Sequence, residues 1–266
     1  MHYREDDVVE MQVKVADTRF HYYELTMQIA SFASNLSKER AREYMHQGVN
    51  RRLGILHRCF ENIFRLFPPD QMEKLSGNNR IDIEINLHAF LINIYGIIEN
   101  IGLALAHENE LIPVKSERKG ESIGVNLFKM KFSGRLNPKL KEYLVKPKIQ
   151  EWYRNYAKNY RDALAHRIPP YVPPAALNKE QQRQYEDIDR ELQKAYSNGN
   201  YDQIEVLQEK QASLGRSNPL FMHSFSEKAT PMYLHPQMIA DFGTIEELLK
   251  TAITNFYSKT DNERGG

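Results

Sequence analysis

Cysteine is almost missing from this chain. Cys59 is the only one in 266 residues, so an intramolecular disulfide is excluded. That scarcity fits a reducing compartment, where paired thiols are rare. Cys59 lies in phase with Ile55, Leu56, Phe60, Ile63 and Phe67, the pattern of a small core residue. Long apolar runs are also missing. The most apolar stretch, residues 87–106, is broken by Asn93, Glu99 and Asn100, and the charged start MHYREDDVVEMQV has no apolar core of a secretory signal. The expectation is a cytoplasmic chain with no membrane partner.

Strong charge of one sign is absent too. The formal net charge is +1, which argues against a protein that coats nucleic acid over its whole surface but leaves room for a local basic groove. HExxH and CxxC are missing, so no metal site with local spacing is expected. GxGxxG, the phosphate loop, GxSxG and the kinase signatures are missing as well, and no cofactor is expected.

What is present is helical periodicity. A first helix is expected from Asp17 or Thr18 to about Gln47, stopped by Gly48, and a second from about Asn50 to Leu66, stopped by Pro68-Pro69. Leu87, Phe90, Leu91, Ile94, Ile98, Ile101 and Leu105 recur at three and four residues and mark a third. Asn137-Pro138 and Lys146-Pro147 each read as helix starts. The helix after Pro147 carries Ile149, Trp152, Tyr153, Tyr156, Tyr160 and Leu164, and must end near Arg167 because Ile168 precedes Pro169-Pro170.

After the stiff IPPYVPP connector, Asn178 with Gln181 reads as a capping box. Polar helices over 179–197 and 201–213, joined by SNGN, predict an inserted helical hairpin at 178–215. Residues 216–235 are expected to hold a short β-hairpin, a last helix to start near Pro236, and 259–266 to fray. The fold class is therefore all-α in the main, a single helical domain over 1–266 with these two insertions.

One helix end concentrates chemistry. In NYRDALAHRIPP, Asp162 and His166 are four residues apart and share a face, so the carboxylate is expected to hold the imidazole. Arg161 lies about 140° away around the axis, within reach of His166 only through its long side chain. Arginine grips phosphate oxygens bidentately, and histidine moves a proton near neutral pH. RNA brings its own nucleophile, the 2′-hydroxyl, so this pair suits a phosphodiester.

Arg161-Asp162-Ala-Leu-Ala-His166 resembles the Arg-x(4–6)-His motif of the HEPN superfamily, all-helical domains found among toxins, anti-phage effectors and RNA-processing factors. The resemblance spans about residues 80–170 and 236–258. It implies a HEPN-type bundle and a metal-independent endoribonuclease. It also implies catalytic Arg161 and His166, a supporting Asp162, and a homodimer whose two motifs face one cleft. An antitoxin or regulatory protein would be a further partner. In some members a nucleotidyltransferase partner modifies a tyrosine two residues after the histidine; Ile168 stands there, a departure from that form.

The same spacing recurs at Arg40–His46, Arg52–His57 and Arg216–His223, so the motif alone is weakly specific. Asn93, Glu99 and Asn100 are expected to support the Arg161–His166 site, since buried polar groups need partners. Residues 112–148 carry ten Lys or Arg against three Glu. Lys129, Lys131, Arg135 and Arg167 are the expected RNA contacts, with Phe128, Phe132 and Tyr143 as stacking surfaces. The competing reading is a non-catalytic interaction or nucleotide-binding module that docks partners through the 178–215 hairpin.

Overall fold

The computed structural model describes residues 3–71, 73–111, 125–224 and 230–257. Part of the basic segment (112–124), the middle of the expected β-hairpin (225–229) and the tail expected to fray lie outside the described residues.

The chain is mainly helical with one small antiparallel sheet. Helix α1 covers Glu5–Ser34, α2 Glu39–Glu43, and a π-helical segment Tyr44–Asn50 leads into α3, Arg51–Leu66. The long helix α4 is Gly77–Glu108. Short helices α5 (Met130–Ser133), α6 (Pro138–Leu144) and α7 (Pro147–Glu151) follow. A second π-helical segment, Trp152–Ala157, runs into α8, Lys158–His166. Then come α9 (Lys179–Ser197), α10 (Tyr201–Ser213), β1 (Leu220–Phe221), β2 (Met232–Tyr233) and α11 (Leu234–Thr254).

Three expectations about the first helix are overturned. The single helix from Asp17 to Gln47 is instead α1 and α2, broken at 35–38. The break is held from a distance. The Glu108 carboxylate accepts hydrogen bonds from Ser37 N (2.8 Å), Ser37 Oγ (2.8 Å) and Lys38 N (2.9 Å). No local pattern announces such a contact. α1 also starts twelve residues earlier than expected, with Glu5, Asp6 and Asp7 in the first turn, where acids favour the helix dipole. Gly48 does not stop a helix. It lies inside the π segment, where a Cβ would fall 2.7 Å from Asn100 Nδ2.

α4 is the axis of the bundle. Ser76 caps it by accepting from Asn79 N at 3.1 Å. Its Leu87, Phe90, Ile94, Ile98, Ile101 and Leu105 are buried with Leu25 and Ile29 of α1, Leu56, Phe60 and Ile63 of α3, and Phe242 and Ile245 of α11. Among the described residues α4 is also the one helix long and apolar enough to cross a membrane, and most of that stretch is buried inside the bundle. Cys59 is buried in the same core, and burial pushes its thiol up to about 11.

α9 and α10 pack on each other over a small core of Leu192, Ala195, Ile204 and Leu207, separate from the main one. The Asn178–Gln181 capping box forms, with Gln181 N donating to Asn178 Oδ1 (2.8 Å) and Asn178 N to Gln181 Oε1 (3.1 Å). The base of the pair is tied by the Ala176–Arg216 bridge and by Lys74 Nζ donating to Leu214 O at 2.9 Å. β1 and β2 pair antiparallel, Leu220 opposite Tyr233 and Phe221 opposite Met232.

Candidate active site at the end of helix α8

α8 grows out of the π segment and stops at His166 because Arg167 is extended and Pro169-Pro170 follow. The chain then runs back along α4. His88 Nε2 hydrogen-bonds Pro170 O at 2.5 Å, and Val172 N donates to Glu84 Oε1 at 3.1 Å.

Arg161 leans on α4. Its Cζ sits 4.1 Å from the centroid of the Tyr95 ring, a cation–π geometry, and its side chain stays 24% exposed. Nη1 lies 3.2 Å from Asp162 Oδ1, and Nε is buried without a hydrogen-bond partner among the described residues. Burial pulls the guanidinium down, but the Tyr95 hydroxyl and the charges of Asp162 and Glu99 outweigh it and hold the group above its ordinary value. Tyr95 belongs to an aromatic bed. Its hydroxyl is 3.4 Å from that of Tyr153, which accepts from Asn126 Nδ2 (2.9 Å) and stacks on Phe128 at 3.8 Å.

His166 is exposed and makes no hydrogen bond, ion pair or ring contact among the described residues. The expected Asp162–His166 contact is not made. Asp162 pairs with Lys158 Nζ at 2.8 Å, one turn back, and with Arg161. A flexible ammonium ahead of it competes better for the carboxylate than a ring at the end of the helix. Burial would raise Asp162, but Lys158 and then Arg161 prevail and its carboxyl falls below the usual range. Within one chain, then, Arg161 and His166 share a helix end but no contact.

The expected supporting residues divide. Glu99 is exposed on α4, one turn past Tyr95, where its charge acts on Arg161. Asn93 and Asn100 belong elsewhere, a correction to the expected support. Arg52 Nη1 donates to Asn93 Oδ1 at 3.0 Å, and Asn93 Nδ2 donates to Ala89 O at 2.7 Å. Both asparagines line a cleft of about 460 Å³ with Arg40, Arg51 and Arg52. The reason is angular: their face of α4 meets α3, not α8. Gly96 makes room there, since a Cβ would stand 2.5 Å from Arg52 Cζ.

Lys129, Lys131, Arg135 and Arg167 are all exposed. Arg135 Nη1 donates to Leu111 O at 3.1 Å. Arg167 is folded back, donating from Nη2 to Asn159 O (2.9 Å) and Oδ1 (2.6 Å). Phe128, Phe132 and Tyr143 are buried, so they are core residues rather than the expected stacking surfaces. Of the competing Arg–His spacings, Arg52–His57 fails on burial, because His57 is stacked 4.0 Å from the Tyr22 ring. In Arg216–His223 the histidine is buried edge-on to Tyr160. Among the described residues no three His, Cys, Asp or Glu side chains gather as a metal site requires.

Sequence reasoning missed Tyr95. A tyrosine inside an apolar helix stripe, four residues before a glutamate, was the available signal.

Fold and site together define a mainly helical protein with a two-stranded sheet and an arginine–histidine helix end. Protein-family models, curated proteins and solved structures give no match to this chain.

Proposed function

We propose that this chain is a metal-independent endoribonuclease of HEPN type. The observation that carries the reading is the end of α8, where a partly exposed arginine is braced on an aromatic ring beside a histidine with no structural employment. Arg161 would grip the non-bridging phosphate oxygens and stabilise the charge that builds on them. His166 would take the proton from the 2′-hydroxyl as the 2′-oxygen attacks phosphorus. The P–O5′ bond breaks, the proton that His166 took is returned through solvent to the 5′-oxygen, and a 2′,3′-cyclic phosphate remains.

In this reading the active form is a homodimer, because one chain leaves Arg161 and His166 without contact. Ile81, Ile85 and Ile92 support a second copy as occupant. They recur at helical spacing on α4 and are 51%, 58% and 38% exposed. His88 on the same stretch holds Pro170, just past His166, so this strip runs beside the site. The biological role that follows is a cytoplasmic toxin or anti-phage effector restrained by an antitoxin or regulatory protein. The test is end-group analysis of RNA cut in EDTA. A 2′,3′-cyclic phosphate, or the monophosphate from its hydrolysis, with a 5′-hydroxyl supports the reading; a 5′-phosphate rejects it.

A second reading, a non-catalytic interaction module, draws on one observation. The α9–α10 pair has its own core yet leaves Tyr196, Tyr201 and Val206 at 57%, 80% and 50% exposure. Partner capture lost on deleting 178–215, with RNA left intact, would favour it.

A further inference from the structure

A second cleft opens further back along the helix that carries the candidate site. It holds about 620 Å³ and is lined by Trp152, Asn155, Tyr160 and Gln237, with Lys148 also on its wall. Beneath it lies Asp241, which is fully buried. Its carboxylate accepts from Trp152 Nε1 (2.8 Å), Tyr156 Oη (2.6 Å) and Gln237 Nε2 (2.8 Å). Three donors on one buried acid fix the indole, the phenol and the amide in place. The cleft is therefore pre-organised, as a binding site must be if it is not to spend affinity on ordering its own walls. The π-helical segment Trp152–Ala157 contributes to the arrangement. It widens the helix where Trp152 and Tyr156 turn onto Asp241, and such segments recur at functional sites.

The chemistry of the walls is specific. Trp152 is half-buried and offers an aromatic face. Asn155 is exposed and makes no hydrogen bond among the described residues, so its amide presents both a donor and an acceptor. Gln237 spends a hydrogen on Asp241 and keeps its oxygen as an acceptor. Lys148 is exposed and pairs with no carboxylate among the described residues. Glu151 stands one turn from Lys148 on the same wall, and a flat face, amides and a cation with an acid nearby match a heterocycle with donors and acceptors along its edge, joined to a phosphate.

We propose that this cleft binds a nucleotide, with the base stacked on Trp152 and read by Asn155 and Gln237, and the phosphate at Lys148. The source is a nucleotide unit of an RNA strand or a free nucleotide. Asn155 and Asn159 lie four residues apart, and His166 is seven further on, close to the same face of the helix. That places the cleft roughly 15 Å from His166 along the axis, within the span of a few nucleotides. The inference thus extends the ribonuclease reading by a subsite that selects the base near the cut. Its test needs binding alone, so the two can fail separately.

Trp152 is the only tryptophan in the chain, so its emission reports on the cleft alone. The full chain is titrated with AMP, GMP, CMP and UMP, with ribose 5-phosphate as a probe that has the phosphate but no base. A saturable change in emission with at least one nucleotide, and none with ribose 5-phosphate, is expected. Asn155→Ala should weaken that nucleotide about fivefold, the worth of one hydrogen bond. A short RNA that competes for the same signal more tightly than the nucleotide identifies the strand as the source; one that does not identifies the free nucleotide. His166→Ala should bind as the parent does, whether or not RNA is cut. No saturable change with any nucleotide, an equal response to ribose 5-phosphate, or an unchanged affinity in Asn155→Ala overturns the proposal.

Discussion

The Arg161 guanidinium lies 4.1 Å over the ring of Tyr95. Tyr95 sits on the central helix and is 6% exposed, so the platform is rigid while the cation it carries stays within reach of solvent. Tyr95 is a positioning residue in this account. Tyr95→Phe keeps the ring and should retain most RNA cleavage. Tyr95→Ala removes the platform and should lower it about tenfold, corresponding to about 1.4 kcal/mol. Initial rates on one RNA, with circular dichroism to verify folding, check this. Equal losses in both variants would assign the effect to the hydroxyl or to the core instead.

Two buried groups oppose each other in pH dependence. Burial raises Asp241 to about 7, against the donors that lower it. Burial lowers His235 to about 4, although Phe67 O works the other way. His235 is fully buried, its Nε2 2.6 Å from Phe67 O and its Nδ1 3.1 Å from Tyr3 Oη. The folded chain holds a proton on Asp241 that the unfolded chain has lost, so stability from Asp241 falls as pH rises from about 4 to 7. The unfolded chain holds a proton on His235 that the folded chain lacks, so stability from His235 falls as pH drops from about 6.5 to 4. Asp241→Asn keeps the hydrogen-bonding shape and removes the first effect. Relative to the parent, the variant should gain about 1.4 kcal/mol per pH unit between roughly pH 4.5 and 6.5. Urea unfolding at several pH values measures it; a difference independent of pH contradicts it.

Gly215 and Gly199 both have positive φ, +89° and +63°. At Gly215 a Cβ would also fall 2.8 Å from the Ala175 Cβ, whereas at Gly199 nothing lies within 4 Å. Gly215→Ala should therefore cost about 2–3 kcal/mol, and Gly199→Ala about 1 kcal/mol. The damage from Gly215→Ala should center on the base of α9 and α10, seen as faster hydrogen exchange there. Equal costs at the two glycines would show that backbone strain alone matters.

The proposed homodimer rests on the α4 strip. Ile85→Glu places a charge in the middle of the proposed contact and should convert a dimer to a monomer in sedimentation equilibrium, with unchanged helicity. A parent that is monomeric at the concentrations where it cuts RNA would remove the dimer from the account.

Much of this architecture was legible in the sequence because it is local. The repeat from Leu87 to Leu105, the Asn178–Gln181 box and the proline stop after His166 each depend on neighbours along the chain. What stayed hidden depends on which partner wins, and in two cases that partner is distant in the chain. Glu108 breaks α1 from α2, Arg52 claims Asn93, and Lys158 takes Asp162 from His166. Spacing showed that Asp162 was able to meet His166. Lys158 stands at the same four-residue spacing on the other side of Asp162, and spacing does not say which of the two wins. The platform under Arg161 was equally invisible, because Tyr95 lies 66 positions away.

The most direct test is cleavage of a labelled single-stranded RNA in EDTA by the parent chain, Arg161→Ala and His166→Ala at equal, verified folded concentration. The account predicts cleavage by the parent and a loss of at least about a hundredfold in each variant, the scale of a lost acid–base or phosphate-binding group. Intact RNA with the parent, or undiminished cleavage by both variants, would contradict it.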